Sequence, residues 1–265
     1  MDLELTGKVA IVTGASRGIG KAIARVLAGE GVHVALVARA SEGLEQAAAD
    51  IRVATSTHAI AVPADTGEDG HVREAVALVA ESFGHIDILV NSAARPGGNP
   101  ARLADLTDEV FLPDLNVKVL GYARFIREVA PHMQRQGWGR IVNVVGMAAR
   151  QPVGIVSSVR NAAVVAMSRN VAEQLGRYGI TVNVVHPFAV RTERSLAQVR
   201  ELAERNGISF EAAEQRRLGD GNLLRRTIDA SEIGFVVAFL ASPKGVAVNG
   251  ESISVSGGTA GWISY

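Results

Sequence analysis

The sequence has no cysteine. That removes disulfides, thiolate metal sites and a cysteine nucleophile from consideration. It also fits a reducing compartment, so a cytoplasmic location is expected. Charge bias is absent too: 27 Lys and Arg stand against 27 Asp and Glu. A balanced chain exerts no general pull on nucleic acid or an anionic membrane surface, and neither is expected as a partner. No apolar run reaches the ~18 residues that suggest a membrane span. The opening MDLELTGK is charged and has no apolar stretch of the kind that forms a secretory leader. What is present is apolar: 48% hydrophobic against 20% charged excludes disorder. With 265 residues the chain has room for one large α/β domain or two small ones.

Short β-branched runs alternate with longer amphipathic stretches. Val9 to Val12, Val32 to Ala38, Ala59 to Val62, Ile86 to Val90, Ile141 to Val145, Ile180 to Val185 and Ile253 to Val255 read as seven buried strands. Between them, Ile19 to Glu30, Glu42 to Arg52, Glu68 to Phe83, Leu115 to Gln136, Val159 to Arg177 and Ala230 to Leu240 read as helices. This alternation predicts a doubly wound parallel sheet with right-handed crossovers and helices on both faces. Nothing between the elements resembles a linker, so one domain over 1–265 is expected. Thr192 to Thr227 breaks the alternation. It is rich in Arg, Glu and Ala, with short helices expected near Glu193 to Arg205 and Phe210 to Arg217. Such an insertion after the sixth strand sits at the ligand-binding edge of the sheet, and a substrate lid is the favoured reading over a plain surface hairpin.

Thr13-Gly14-Ala15-Ser16-Arg17-Gly18-Ile19-Gly20 joins the first strand to the first helix. Glycine is needed where backbone turns sharply and lies against a pyrophosphate. The free N–H groups of the helix start supply donors and positive potential to the phosphate. The TGxxxGxG spacing resembles that of the short-chain dehydrogenase/reductase family. Further matches in order are Asp65 after the third strand, Asn91-Ser92-Ala93-Ala94 after the fourth, and Asn116 in the long crossover. Pro187 and Thr192 after the sixth strand and the ending Val255-Ser256-Gly257-Gly258 complete the set. The resemblance covers nearly the whole chain. It implies a Rossmann-type fold and a nicotinamide dinucleotide held by Gly14, Ser16, Arg17, Ile19, Arg39, Asp65, Asn91, Ala93, Pro187 and Thr192.

An acidic residue ending the second strand would accept from a ribose 2′-OH and repel a 2′-phosphate. Here Ala38 and Arg39 stand at that place, and Arg17 lies within the glycine turn. Two guanidinium groups suit a phosphate dianion, so NADP is expected over NAD.

The family's reactive site uses Asn, Ser, Tyr and Lys, with Tyr and Lys four apart on one helix face. The ammonium lowers the phenol's pKa from about 10 toward working pH. By resemblance Asn116 keeps its place, but Gly146 stands for the Ser, Ser157 for the Tyr and Asn161 for the Lys. The spacing from Gly146 to Ser157 is short, and a slip of one residue would put Arg160 at the Lys place instead. Phe188 replaces the glycine expected after Pro187 and would crowd the nicotinamide, and Ala94 replaces another glycine. A serine hydroxyl is too weak an acid to act alone. His186 reads as a strand-end histidine with a satisfied hydrogen bond, Tyr122 and Tyr178 as packing aromatics, and Trp262 and Tyr265 as packing residues of the tail. Arg95, Arg150, Arg191 and Arg194 flank the expected substrate region and read first as solvated charge.

Two readings follow. One is an oxidoreductase of atypical mechanism acting on a small carbonyl or alcohol, with Asn116 holding a water and Ser157 orienting the substrate oxygen. The other is a catalytically silent NADP-binding sensor or scaffold. Isomerase or lyase chemistry in the same pocket is a third, lesser class. A homo-oligomer, dimer or tetramer, is implied by resemblance. Its pairing helices would lie near 115–136 and 157–177, where Ala162 to Met167 offers a small, apolar surface.

Overall fold

The computed structural model describes residues 1–39, 42–95, 99–100 and 102–259. In chain order its strands are β1 (Val9–Thr13), β2 (His33–Ala38), β3 (Ala59–Pro63), β4 (Ile88–Asn91), β5 (Gly139–Val144), β6 (Ile180–Pro187), β7 (Val190–Arg191), β8 (Ile228–Asp229) and β9 (Ser252–Val255). Seven of them form one sheet in the order β3-β2-β1-β4-β5-β6-β9, all neighbours parallel. This is the Rossmann-type architecture expected from the alternation. The strands are continuous apolar runs because helices cover both faces. Along β1, Ala10 and Val12 turn to one core while Val9 and Ile11 turn to the other.

The helices are α1 (Gly18–Gly29), α2 (Glu42–Ala54), α3 (Asp69–Phe83), α4 (Asp108–Asp114), α5 (Gly121–Gln136), α6 (Ile155–Leu175), α7 (Glu193–Asn206), α8 (Phe210–Glu214) and α9 (Ala230–Ala241). The first core takes Ile23 and Leu27 of α1, Leu44 and Ile51 of α2, and Ile233 and Val237 of α9. The second takes Val72 and Val79 of α3, Phe125 and Val129 of α5, and Ala172 and Leu175 of α6.

Two departures from the sequence reading bear on the site. The long crossover helix begins at Asp108 rather than Leu115, and a π turn over Leu115–Leu120 joins α4 to α5. Helix α6 begins at Ile155 rather than Val159. The 192–227 insertion carries its two helices as expected, and the flanking strands β7 and β8 pair to close its base. Arg191 reinforces that base through a two-pronged bond to Glu214 at 2.8 and 2.7 Å. Trp262 and Tyr265 lie outside the described residues. Among the described residues no helix is long and apolar enough to cross a membrane.

Candidate active site

Strand order reverses between β1 and β4, and a ligand crevice opens beyond the carboxyl ends of such strands. Thr13 fixes this edge: its Oγ1 accepts from the Ser92 and Ala93 amides at 3.0 and 3.2 Å. Gly14 (φ +67°) then turns so closely past the β4 loop that a Cβ would lie 2.9 Å from Ala93 Cα. A Cβ on Gly20 would run into the Gly14 carbonyl. The result is a bare backbone cradle capped by the first amides of α1, which fits a pyrophosphate. Ser16 is half-buried and Ile19 packs partly against the first core. Thr192 closes over the cradle as the N-cap of α7, its Oγ1 accepting from Ser195 N at 3.2 Å. Beside it, the Glu193 carboxylate accepts from Gly18 N at 3.0 Å, on the amide row itself.

Arg17 and Arg39 are both exposed at this end, and neither has an ion-pair partner among the described residues. Ala15 N donates to Val37 O at 3.3 Å, which places the end of β2, and so Arg39, beside the glycine turn. Asp65 is half-buried and accepts from Gly67 N at 2.9 Å. Asn91 ends β4. It is fully buried, and its Nδ2 donates to Asn143 Oδ1 at 2.9 Å, beginning a polar chain that continues through Ser168 of α6. Ala93 and Pro187 are buried at the carboxyl edge of the sheet.

At the opposite end, Ser157 and Asn161 share the buried face of α6 with Val164 and Ser168. A Cβ on Gly146 would be 3.6 Å from Asn161 Nδ2 and 3.9 Å from Pro187 O. Asn161, rather than Arg160, therefore borders the gap beside Gly146. Arg160 turns the other way into a buried ion pair with Asp114. Ser157 is held by Asn99, whose Oδ1 accepts from Ser157 N at 3.0 Å and whose Nδ2 donates to Ser157 Oγ at 3.1 Å. The Ser157 hydroxyl itself donates to Gly154 O at 3.1 Å. Asn161 Oδ1 is buried without a hydrogen-bond partner.

The structure does not bring Asn116 to this group. Its Nδ2 donates to Gly67 O at 3.1 Å, and Arg124 donates to its Oδ1 at 2.8 Å and to its carbonyl at 3.2 Å. The π turn carries one extra residue per turn and rotates the phase of the helix. Lys118, two positions on, consequently points inward. It is 3% exposed, and its Nζ donates to Val145 O at 3.4 Å. Burial holds its ammonium down to about 7. Burial likewise lowers His186 to about 4, so that ring is neutral near pH 7. His186 Nδ1 donates to Gly146 O at 3.1 Å, and Nε2 accepts from Ser252 Oγ at 2.6 Å. This matches the strand-end reading. Tyr122 is fully buried with its hydroxyl on Val144 O, and Tyr178 packs at the edge of the second core. Phe188 leans on the insertion, where its ring edge would meet a Cβ added to Gly221. Arg150 binds Ser254 Oγ and the Ser252 carbonyl, while Arg95 and Arg194 are exposed.

Sequence reasoning passed over Lys118, Asn99 and Glu193. For Lys118 one signal was available: it is the sole lysine between Lys21 and Lys244, set in an apolar helical stretch. Asn99 and Glu193 become visible only when distant segments meet.

A family model described as enoyl-(acyl carrier protein) reductase matches residues 14–260. The NADPH-dependent reductase BacG of Bacillus subtilis is 31% identical over 258 residues, covering 96% of this chain and 98% of the relative. The short-chain reductase protein NovJ of Streptomyces niveus is 37% identical over 257 residues, covering 94% and 93%. Among solved structures, L-sorbose reductase from Gluconobacter frateurii, complexed with NADPH and L-sorbose, superposes with a TM-score of 0.93 at 29% identity, covering 99% of this chain and 100% of that one. On a crevice of this geometry and matches spanning nearly its full length, the chain belongs to the short-chain dehydrogenase/reductase family of oxidoreductases.

Proposed function

We propose that the protein is an NADPH-dependent reductase of a small carbonyl compound that works without a tyrosine phenol. The observation that carries the reading is the turn at Gly14 and Gly20, where a side chain would collide with neighbouring backbone, so that the bare turn and the first amides of α1 are left to face a pyrophosphate. Gly14, Ser16, Arg17, Ile19, Ala93 and Thr192 would line the dinucleotide, with Asp65 near its adenine end. Arg17 and Arg39 would meet a 2′-phosphate, which favours NADPH over NADH. The NADPH-dependent relative and the NADPH-complexed structure support binding of that nucleotide. When bound, the reduced nicotinamide supplies a hydride. Ser157 and Asn161 would line the substrate's reactive end, and the 192–227 insertion would cover it as a lid within the same domain.

On this reading Asn116 is a clamp between the π turn and the loop after β3, since its polar atoms already have partners there. The absence of cysteine favours the cytoplasm. A second copy of the chain would pair along α5 and α6, whose groove is lined by Ile126, Ala130, Met167 and Val171. Light scattering should then give at least a dimer, and a monomer at micromolar concentration contradicts the pairing.

A silent nucleotide-binding protein is the second reading, favoured by a Ser157 hydroxyl already engaged by Asn99 and Gly154. NADPH oxidation across a panel of ketones, aldehydes and sugars separates the two. The reductase reading requires sustained turnover on at least one compound. Tight NADPH binding with no turnover on any of them selects the silent reading.

A further inference from the structure

The α6 face beside Gly146 carries a hydroxyl and a carboxamide, and its nearest guanidinium is turned away to Asp114. Charge enters this region from another element. Lys118 arrives from the π turn, and its ammonium lies at the carbonyl of Val145, the residue before Gly146. Because residue 146 is a glycine, the room that a Cβ would take, 3.6 Å from Asn161 Nδ2 and 3.9 Å from Pro187 O, is left as a gap one carbon wide.

The groups around Lys118 leave it uncompensated. Asp114, one turn back on α4, is taken by Arg160 of α6. Arg124 of α5 faces Asn116 and Asp69. Tyr122 of α5 presents its ring at 5.6 Å while its hydroxyl is spent on Val144 O. His186 of β6 is neutral, and Arg150 binds Ser252 and Ser254. Among the described residues no carboxylate pairs with Lys118. A buried cation in that condition costs the fold stability, and such groups concentrate at functional sites.

We propose that Lys118 holds the proton that the substrate oxygen acquires on reduction, passed through the gap beside Gly146 that Asn161 lines. This rests on the reductase reading above. The carbonyl carbon accepts the hydride, and the C=O π pair moves to oxygen. Oxygen takes a proton from the Lys118 ammonium, directly or across one water. The neutral amine left behind regains a proton from solvent, so carbonyl and reduced dinucleotide become alcohol and oxidised dinucleotide. The unpartnered Asn161 Oδ1 is an acceptor available to that water. Burial suits the amine to the task, since a proton donor works best with a pKa near the operating pH.

The test begins with the protein labelled at lysine 13Cε. The sequence has four lysines, Lys8, Lys21, Lys118 and Lys244, so Lys118 is assigned by the signal lost in Lys118→Met. The proposal expects that signal to titrate near pH 7, and to move when NADP+ binds, while the other three titrate above pH 9. A Lys118 midpoint above 9 overturns it without reference to activity. In steady state, kcat for carbonyl reduction should fall as pH rises through about 7. Lys118→Arg should lose that fall, and Lys118→Met should lower kcat about 100-fold at pH 6, within the range a positioned acid supplies. The Kd for NADPH should stay within about threefold in both variants. Unchanged kcat and pH profile in Lys118→Met overturn the proposal and leave the reductase reading standing. A wild-type protein whose Lys118 titrates near 7 but which reduces no carbonyl overturns the reductase reading and the proton transfer with it.

Discussion

At the β1–α1 end the crevice is shaped by backbone: a close-packed glycine turn, helix-start amides, and a loop pinned by Thr13. At the α6 end it is shaped by side chains whose partners come from far along the chain, Asn99 to Ser157 and Asp114 to Arg160. The first kind of site has few sequence solutions, because only glycine lets two strands of backbone approach so closely. The second kind tolerates exchange, because a side chain on one helix is replaceable by one from another element that reaches the same space. On the proposed reading, nucleotide grip and reaction chemistry would be constrained by different physics, and the two ends could diverge independently.

Substitution at the backbone end should have the largest effect. Gly20→Val drives a branched side chain into the Gly14 carbonyl. Calorimetry should detect no NADPH binding, and the melting temperature should drop by several degrees or more. Binding kept within tenfold of wild type would break the contrast between the two ends. Next in size is Arg39→Asp, which removes one guanidinium and adds a charge that repels a 2′-phosphate. The Kd for NADPH should rise about 100-fold, with NADH changed less than fivefold. Equal weakening of both nucleotides would show that Arg39 serves no phosphate.

The reaction end makes its own stability prediction. The Lys118 amine has a folded pKa of about 7 against an ordinary 10.5. The unfolded chain therefore binds more protons across that window, and stability rises with pH from about 7 to 10.5. Lys118→Met should remove this rise, and it should raise the melting temperature at pH 7 because a buried cation is replaced by an apolar chain of similar length. A lower melting temperature would mean that Lys118 has a partner that compensates its charge.

The smallest effect should come from Glu193→Gln. Its carboxylate accepts from Gly18 N, on the row of amides that the proposed nucleotide's phosphates would use. Neutralising it should tighten NADPH binding about twofold to fivefold, as charges at helix starts usually count for about 1 kcal/mol or less. Weaker binding in the variant would show that Glu193 supports the nucleotide rather than competes with it.

Most of the sheet was legible because buried parallel strands are continuous β-branched runs, as in Val9–Thr13 and Ile180–Pro187. The glycine turn was legible because Gly14 and Gly20 approach neighbouring backbone too closely for a side chain. The crossover helix begins earlier than expected, with Pro113 inside α4, just ahead of the π turn. Asn116 was expected in the site by resemblance, whereas Lys118 carried no such cue: a regular helix gives no hint that its phase shifts between those two residues. The start of α6 was placed late because Asn99, distant in sequence, stabilises that end by packing on Gly154 and bonding Ser157.

Calorimetric titration of the wild-type protein with NADPH and with NADH tests the central claim most directly. The account predicts NADPH binding at least tenfold tighter, with the preference falling as salt screens Arg17 and Arg39. Equal affinities, a preference for NADH, or no uptake of either nucleotide would contradict it.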